Sequence, residues 1–511
     1  MRTAKTFINI KYTSLFFFIH TLLSFVSRKA FLDAIGPNYL GFISLVQNLL
    51  GYLNLTELGL GVAITYALYK PLHDNDYDAI NKILTFYAFL MKAIGIIILI
   101  VGTGLSFFMP MMSKGQIEPG LSISYFWAYV VYTMISYYAS YKFIVIQADQ
   151  KNYVLTKLQG IIKIIKVLVL IALLYLTRSF MLWFIVGIAF DIVSIFLSNR
   201  KVSSMYPWLR IIPSIKLRES FRENKEAFHN ISTTFLYKIG NVVVNQTDSL
   251  LIAFFANLTV LGMIVNYTMV TTIISNFLTT TIWNAKSSVG NLIVEKNDEK
   301  SYAVWREFFS ISFYIASVSV FCLYMITDSF IELWIGKTML LDNIFLIALV
   351  SNVFFKITRE PTEVFKTAYG LFKGDKGNTV AEFTSNFIIS LFLGRLMGPA
   401  GVILGTSVSF VLTSFWTRPK LLFGQGFHKP LGGYMIVYGK HLMMSAVSIA
   451  LAFIVIRQLG HTFIFEHALI DFLINAIVVF VTINVILLMV YLPDKYFRKI
   501  VYRIKTLHGK Q

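Results

Sequence analysis

The sequence predicts an all-α polytopic membrane protein of about 14 transmembrane helices, built as two six-helix bundles with a two-helix C-terminal extension. Three observations carry that prediction. Hydrophobic residues make up 56% of the 511-residue chain and charged residues only 14%, with a mean hydropathy of +0.68, outside the range of soluble globular proteins. Apolar runs long enough to cross a bilayer recur from one end to the other and leave no room for a large soluble domain. Lysine and arginine are distributed unequally between alternate connections, as the positive-inside rule requires.

The first run, 9–27, follows Arg2, Lys5 and Lys11. This arrangement mimics a secretory leader, but no small-residue cleavage site follows, so it is read as the first span. Runs at 39–69, 84–110, 121–146, 153–176 and 180–198 complete a first bundle over 1–198. Before the third span, Asp74-Asn75-Asp76-Tyr77-Asp78 reads as helix capping rather than as a pair of metal-holding carboxylates. The longest polar connection, 199–228, carries Arg200, Lys201, Arg210, Lys216, Arg218, Arg222 and Lys225 and reads as a basic cytoplasmic linker. Runs at 229–256, 258–284, 306–327, 343–366, 378–397 and 400–417 form a second bundle over 229–422. Those at 434–457 and 467–492 make an additional hairpin over 423–492, and 493–511 is a basic tail. An internal echo supports two halves: Tyr39-Leu40-Gly41-Phe42-Ile43 opens the second span and Val260-Leu261-Gly262-Met263-Ile264 opens the eighth.

An even number of spans puts both termini on one side. Of the 45 lysines and arginines, 31 fall in connections or adjoining helix ends on that side, seven in those on the other side, and the remaining seven are counted within spans. Both termini are therefore expected in the cytoplasm, facing anionic lipid. The net charge of +19 follows from topology, and nucleic-acid binding is not needed to explain it. Cys322, the single thiol, can form neither an internal disulfide nor a thiolate cluster and reads as packing.

Enzymatic signatures fail on spacing. Gly336-Lys337-Thr338 resembles the end of a phosphate-binding loop, but Ile331 stands where the first glycine is required. No two histidines have metal-ligand spacing on one helix face. External connections are short, which disfavours a glycosyltransferase or polymerase. No catalytic residue, metal or cofactor is expected.

Polar groups inside the spans remain, and in hydrocarbon these face a cavity or a partner. Asn9, Thr13, His20, Ser24 and Arg28 share one face of the first helix, and Asn230, Thr234, Lys238, Asn241, Asn245 and Asp248 form a stripe on the seventh. The second helix offers Ser44, Gln47, Gly51 and Asn54, with Glu57 nearby; the eighth offers Thr272, Asn276, Thr280 and Asn284. A single Ser or Asn is interhelical glue. Stripes holding Arg28 or Lys238 read as a hydrated cavity, because a cation in lipid is costly without an anion. Lys92, Lys163 and Lys166 lie nearer the cytoplasmic ends and are expected to snorkel. The tenth span is the most charged: Lys356, Arg359, Glu360, Glu363 and Lys366 surround Pro361. Lys356 with Glu360 and Arg359 with Glu363 are i,i+4 pairs, so mutual neutralisation stands beside a gating or ion-coupling role. The cationic members suggest an anionic substrate, with phosphate or pyrophosphate the match for Arg and Lys.

Several motifs together resemble the polysaccharide-transporter (Wzx-type) family of lipid-linked oligosaccharide flippases in the MOP superfamily, relatives of MATE exporters and lipid II flippases. They are Arg28-Lys29-Ala30-Phe31 followed by Gly36 and Leu40-Gly41; 53–61, Leu-Asn-Leu-Thr-Glu-Leu-Gly-Leu-Gly; Ser140-Tyr141-Lys142 with 147–153, Gln-Ala-Asp-Gln-Lys-Asn-Tyr; Asn245-Gln246-Thr247-Asp248; Gly290-Asn291-Leu292; 366–372, Lys-Thr-Ala-Tyr-Gly-Leu-Phe; and Gly401-Val402-Ile403-Leu404-Gly405-Thr406. The resemblance covers nearly the whole chain. It implies two six-helix bundles around a central cationic cavity that passes an undecaprenyl-pyrophosphate oligosaccharide between leaflets by alternating access. It also implies a cavity role for Arg28, with Lys238 adding to the cationic lining, and it matches Asp248 to a recurrent acid. Lys366 departs from it, standing where relatives often carry Arg.

The expected function is therefore a flippase for a lipid-linked repeat unit of O-antigen, capsule or another exopolysaccharide, in the bacterial cytoplasmic membrane. Arg28, Lys238, Asn241, Asn245, Asn54 and Arg359 are the candidate substrate contacts; Glu57, Asp248, Glu360, Glu363 and Pro361 are the candidates for ion coupling or gating. A proton gradient, a sodium gradient or the membrane potential would drive transport. Expected partners are the lipid-linked oligosaccharide, anionic lipids and a polysaccharide polymerase. The alternative is a MATE-like ion-coupled exporter of drugs or other small molecules, for which acidic cavity groups would be diagnostic.

Overall fold

In hydrocarbon every backbone amide must find its partner within the chain, so a sequence of long apolar runs has the helix as its natural element. The computed structural model describes residues 2–53, 60–211, 247–371, 373–459 and 468–508, and among these it contains helices and turns but no strand. Ten of the described helices are long and apolar enough to cross a membrane.

The chain divides into two units, Met1–Gly262 and Met263–Gln511. In the first, α1 is Arg2–Ala34, α2 Pro37–Leu53, α3 Leu60–Asp74, α4 Tyr77–Ser106, α5 Met109–Ser113, α6 Pro119–Ser140, α7 Phe143–Ala148, α8 Tyr153–Thr177 and α9 Phe180–Met205. Residues 247–255 are helical, and α10, Leu258–Asn284, runs across the division. The second unit continues with α11 Lys286–Val294, α12 Asp298–Ile335, α13 Asn343–Ala368, α14 Lys376–Met397, α15 Pro399–Leu412, α16 Ser414–Gln425, α17 Leu431–Leu459, α18 Ala468–Tyr491 and α19 Lys495–His508.

All the expected spans but the seventh fall on these helices. The seventh, 229–256, lies mostly outside the described residues. The second span is shared by α2 and α3, and the twelfth, expected over 400–417, breaks at Thr413 and resumes as α16, so that Arg418 sits in a helix rather than a connection. The 38 residues of α12 span about 57 Å, well beyond the ~30 Å hydrocarbon thickness. The acidic stretch before α4 caps it as expected: the Asp76 carboxylate accepts the Ala79 amide at 3.0 Å.

In the first unit α4 packs on α6, α1 on α8 and α8 on α9; in the second α12 packs on α13 and α18, and α14 on α15. The two echoed segments meet inside the first unit. A Cβ on Gly41 would lie 1.9 Å from the Leu258 carbonyl oxygen, and one on Gly262 would lie 2.0 Å from that of Pro37. The contact is reciprocal, with each glycine facing the residue four positions before the other, and only a residue without a side chain allows it.

Candidate functional site

On α1, Ser24 donates to the Thr21 carbonyl at 2.6 Å, while Arg28 Nη1 and His20 Nε2 are buried and make no hydrogen bond among the described residues. Next to Arg28, the half-exposed Lys29 pairs with Asp33 at 3.5 Å. A buried guanidinium nitrogen without an acceptor carries a desolvation cost that a bound anion would relieve. The ammonium of Lys166 meets Asp191 of α9 at 2.6 Å, so its charge is matched by a carboxylate on the neighbouring helix. Asp248 lies in the 247–255 helix, beside Thr247, whose hydroxyl meets the Tyr52 phenol at 2.7 Å.

The second unit gathers its charges around α13. This helix runs continuously through Pro361, which has no amide to offer the Ile357 carbonyl. It ends where Gly370 takes the left-handed conformation (φ 71°), and the chain doubles back so that Asp375, just ahead of α14, reaches Lys366. Lys366 is 1% exposed and bonds Asp375 at 2.5 Å and Glu363 at 2.8 Å. Arg418 of α16 completes the group, meeting Glu363 at 2.8 Å, Glu382 of α14 at 2.5 Å and Asp375 at 3.6 Å. Arg359 approaches Glu382 at 3.7 Å and lies 5.7 Å from the Phe410 ring centroid. Three cations thus face three carboxylates, with Lys366, Arg418, Glu363 and Asp375 buried and Arg359 at the more exposed edge, a balance without which the buried charge would be prohibitive.

The i,i+4 pairs expected along the tenth span are not the ones formed. Glu363 turns to Lys366 and Arg418 rather than Arg359, and Lys356 reaches Asn276 Oδ1 at 2.9 Å rather than Glu360. Partners on other helices prevail because they are also buried, and Coulomb attraction grows as water is excluded. Glu360 is left with the Trp283 indole N–H, 2.5 Å away, as its hydrogen-bond donor and no cation within salt-bridge distance among the described residues. The acids of α13 therefore differ in their partners: Glu363 is bonded by two cations, whereas the hydrogen-bond donor to Glu360 among the described residues is the neutral Trp283 indole.

Of the expected site residues, Arg28 and Asp248 belong to the first unit and Arg359, Glu360, Pro361 and Glu363 to the second; Asn54, Glu57, Lys238, Asn241 and Asn245 lie outside the described residues. Sequence reasoning missed Asp375, Glu382 and Arg418. Glu382 was the detectable one, an acid inside the eleventh apolar run.

Membrane-length apolar helices in two units, with charge held in buried helix–helix contacts, define an integral membrane protein of the all-α class. Among solved structures, the chain is similar to the lipid II flippase MurJ in an inward closed conformation, at 16% identity over 94% of this chain and 99% of that one, with a TM-score of 0.67. It is also similar to an inward-facing multidrug resistance MATE family transporter of the MOP superfamily, at 15% identity over 78% of this chain and 94% of that one, with a TM-score of 0.62. The fold is thus of the MOP type. No protein-family model matches the sequence, and neither does any curated protein.

Proposed function

We propose that this protein is a flippase that moves undecaprenyl-pyrophosphate-linked oligosaccharide repeat units from the inner to the outer leaflet of the bacterial cytoplasmic membrane, for surface polysaccharide synthesis. The observation that carries the reading is Arg28, a cation within a spanning helix whose Nη1 is buried and without a hydrogen-bond partner among the described residues. A guanidinium matches phosphate oxygens in charge and geometry, and a pyrophosphate would relieve its desolvation. Similarity over nearly the full length to a protein described as a lipid II flippase supports a lipid-linked substrate. On this reading Lys238, Asn54, Asn241, Asn245 and the part-exposed Arg359 add to the contact, the prenyl tail stays in lipid, and the halves 1–198 and 229–422 alternate access with both termini cytoplasmic. Glu360 is the preferred coupling group, with Glu57 and Asp248 next, and a polymerase consumes the product.

The test is Arg28→Ala in cells. Surface polymer is expected to disappear while the protein stays in the membrane at wild-type abundance, with partial rescue by Arg28→Lys. Normal polymer in the alanine variant defeats the assignment. The second reading is a MATE-like exporter of soluble amphiphilic cations, which Glu360, a buried acid with no salt bridge among the described residues, favours. Altered drug susceptibility with intact polysaccharide in a deletion strain would establish it.

A further inference from the structure

A groove of about 650 Å³ opens in the first unit between α1 and α8, at the end where α8 begins and α9 finishes. Tyr12 of α1 and Leu158 and Ile161 of α8 form its walls, and Lys157 and Lys201 stand at its rim. Just deeper, α1 seats against α8 where Gly160 admits Phe16, since a Cβ there would lie 2.6 Å from that ring.

Two lysines stand at the groove without an ion pair among the described residues, where several of their neighbours are paired. Nearby Lys151 is neutralised by Asp149 at 2.6 Å, Lys166 by Asp191 at 2.6 Å, and Lys142 donates to the Ser203 hydroxyl at 3.1 Å. Lys157 has only the face of Tyr12, 5.8 Å away, and neither Lys157 nor Lys201 has an ion-pair partner among the described residues. Two uncompensated cations at one apolar groove make a site complementary to an anion with a hydrocarbon chain.

The exposed side of α8 shows which anion fits. Below Lys157, Ile161, Ile165 and Leu168 follow at helical spacing and are 43%, 47% and 52% exposed. From Lys157 to Leu168 the helix rises about 16 Å, close to the ~15 Å depth of one leaflet's hydrocarbon. A soluble phosphate would use the rim alone, whereas a phospholipid uses both rim and strip. The positive-inside count places this end in the cytoplasm, where anionic phospholipids lie within reach.

We propose that the α1–α8 groove is a binding site for an anionic phospholipid of the cytoplasmic leaflet, its phosphate between Lys157 and Lys201 and an acyl chain along Ile161, Ile165 and Leu168. The site is independent of the flippase reading, because its ligand is a bilayer lipid rather than the cargo.

Native mass spectrometry of the full-length, delipidated protein titrated with phosphatidylglycerol or phosphatidylcholine tests it. Wild type is expected to retain phosphatidylglycerol and not phosphatidylcholine. With about 1 kcal/mol per lysine, the Lys157→Gln/Lys201→Gln pair should bind about 30-fold more weakly, while the Lys157→Arg/Lys201→Arg pair binds as wild type. Ile161→Glu, on an exposed position that leaves both lysines in place, should also weaken retention. Unchanged binding by the glutamine pair overturns the proposal. So does equal retention of the two lipids, displacement by inorganic phosphate alone, or preferential displacement by a polyprenyl pyrophosphate, which would make the groove a cargo site.

Discussion

Glu363→Gln and Glu360→Gln are the same chemical change three residues apart on one helix, and the structure predicts opposite consequences. Glu363 bonds Lys366 at 2.8 Å and Arg418 at 2.8 Å, all three being at most 9% exposed. Neutralising it leaves three cations facing two carboxylates in a site that water barely reaches. Breaking a buried pair from one side costs about 3–5 kcal/mol. Glu360 accepts only from the Trp283 indole, and the oxygen of a glutamine amide can accept the same bond, so its loss should stay within about 1 kcal/mol. Unfolding of the purified variants by a denaturing detergent, followed by tryptophan fluorescence and gel filtration, reads both. Adding Arg418→Gln to Glu363→Gln restores two charges against two and should cost less than the sum of the single changes. Glu363→Gln as stable as wild type, or Glu360→Gln as unstable as Glu363→Gln, would show that the two acids do not differ in this way. If Glu360 couples transport, Glu360→Gln also yields a folded protein that makes no surface polymer.

Three further outcomes are expected. Gly41→Ala and Gly262→Ala each put a Cβ at about 2 Å from a carbonyl oxygen, so both should lower the yield of monodisperse protein, whereas Gly120→Ala, with open space around it, should not. Asp494, between α18 and α19, caps α19 through the Phe497 amide at 2.9 Å and binds Lys440 at 2.5 Å; burial raises its pKa, but the Lys440 hydrogen bond and the helix amides outweigh that and hold it below the ordinary 3.8. A lowered folded-state value means the contribution is complete above the unfolded value and lost as pH falls through the folded one, so α19 should exchange its amides faster only in strong acid, and Asp494→Asn should reproduce that loosening at neutral pH. Glu307, 1% exposed, is held by Lys499 at 3.2 Å and Arg503 at 2.8 Å from α19, so Glu307→Ala should expose the C-terminal helix to trypsin at pH 7 while the spans stay resistant.

The helices of the fold were legible because hydrocarbon imposes one rule on every span, and runs of apolar residues obey it whatever their neighbours. The Asp76 cap was legible for the related reason that its hydrogen bond reaches only three residues. The charge cluster was half legible. Glu363 and Lys366 announced themselves as ions in an apolar run, but their partners Asp375, Glu382 and Arg418 stand on separate elements with no shared period to mark them. Local spacing favoured Arg359 for Glu363, and tertiary burial gave it Arg418 instead. The Gly41–Gly262 crossing was visible only as an echo, because a sequence repeat shows that two segments are alike and not that they touch.

The most direct test of the account is the location of the cargo in a deletion strain. Prenyl-linked sugars extracted after treating spheroplasts with an impermeant hydrolase show which leaflet holds the complete repeat unit. It is expected to accumulate, protected on the inner leaflet, and to be released to the outer one by wild-type protein but not by Arg28→Ala. A repeat unit already exposed outside, or none accumulating, would contradict translocation as the step this protein performs.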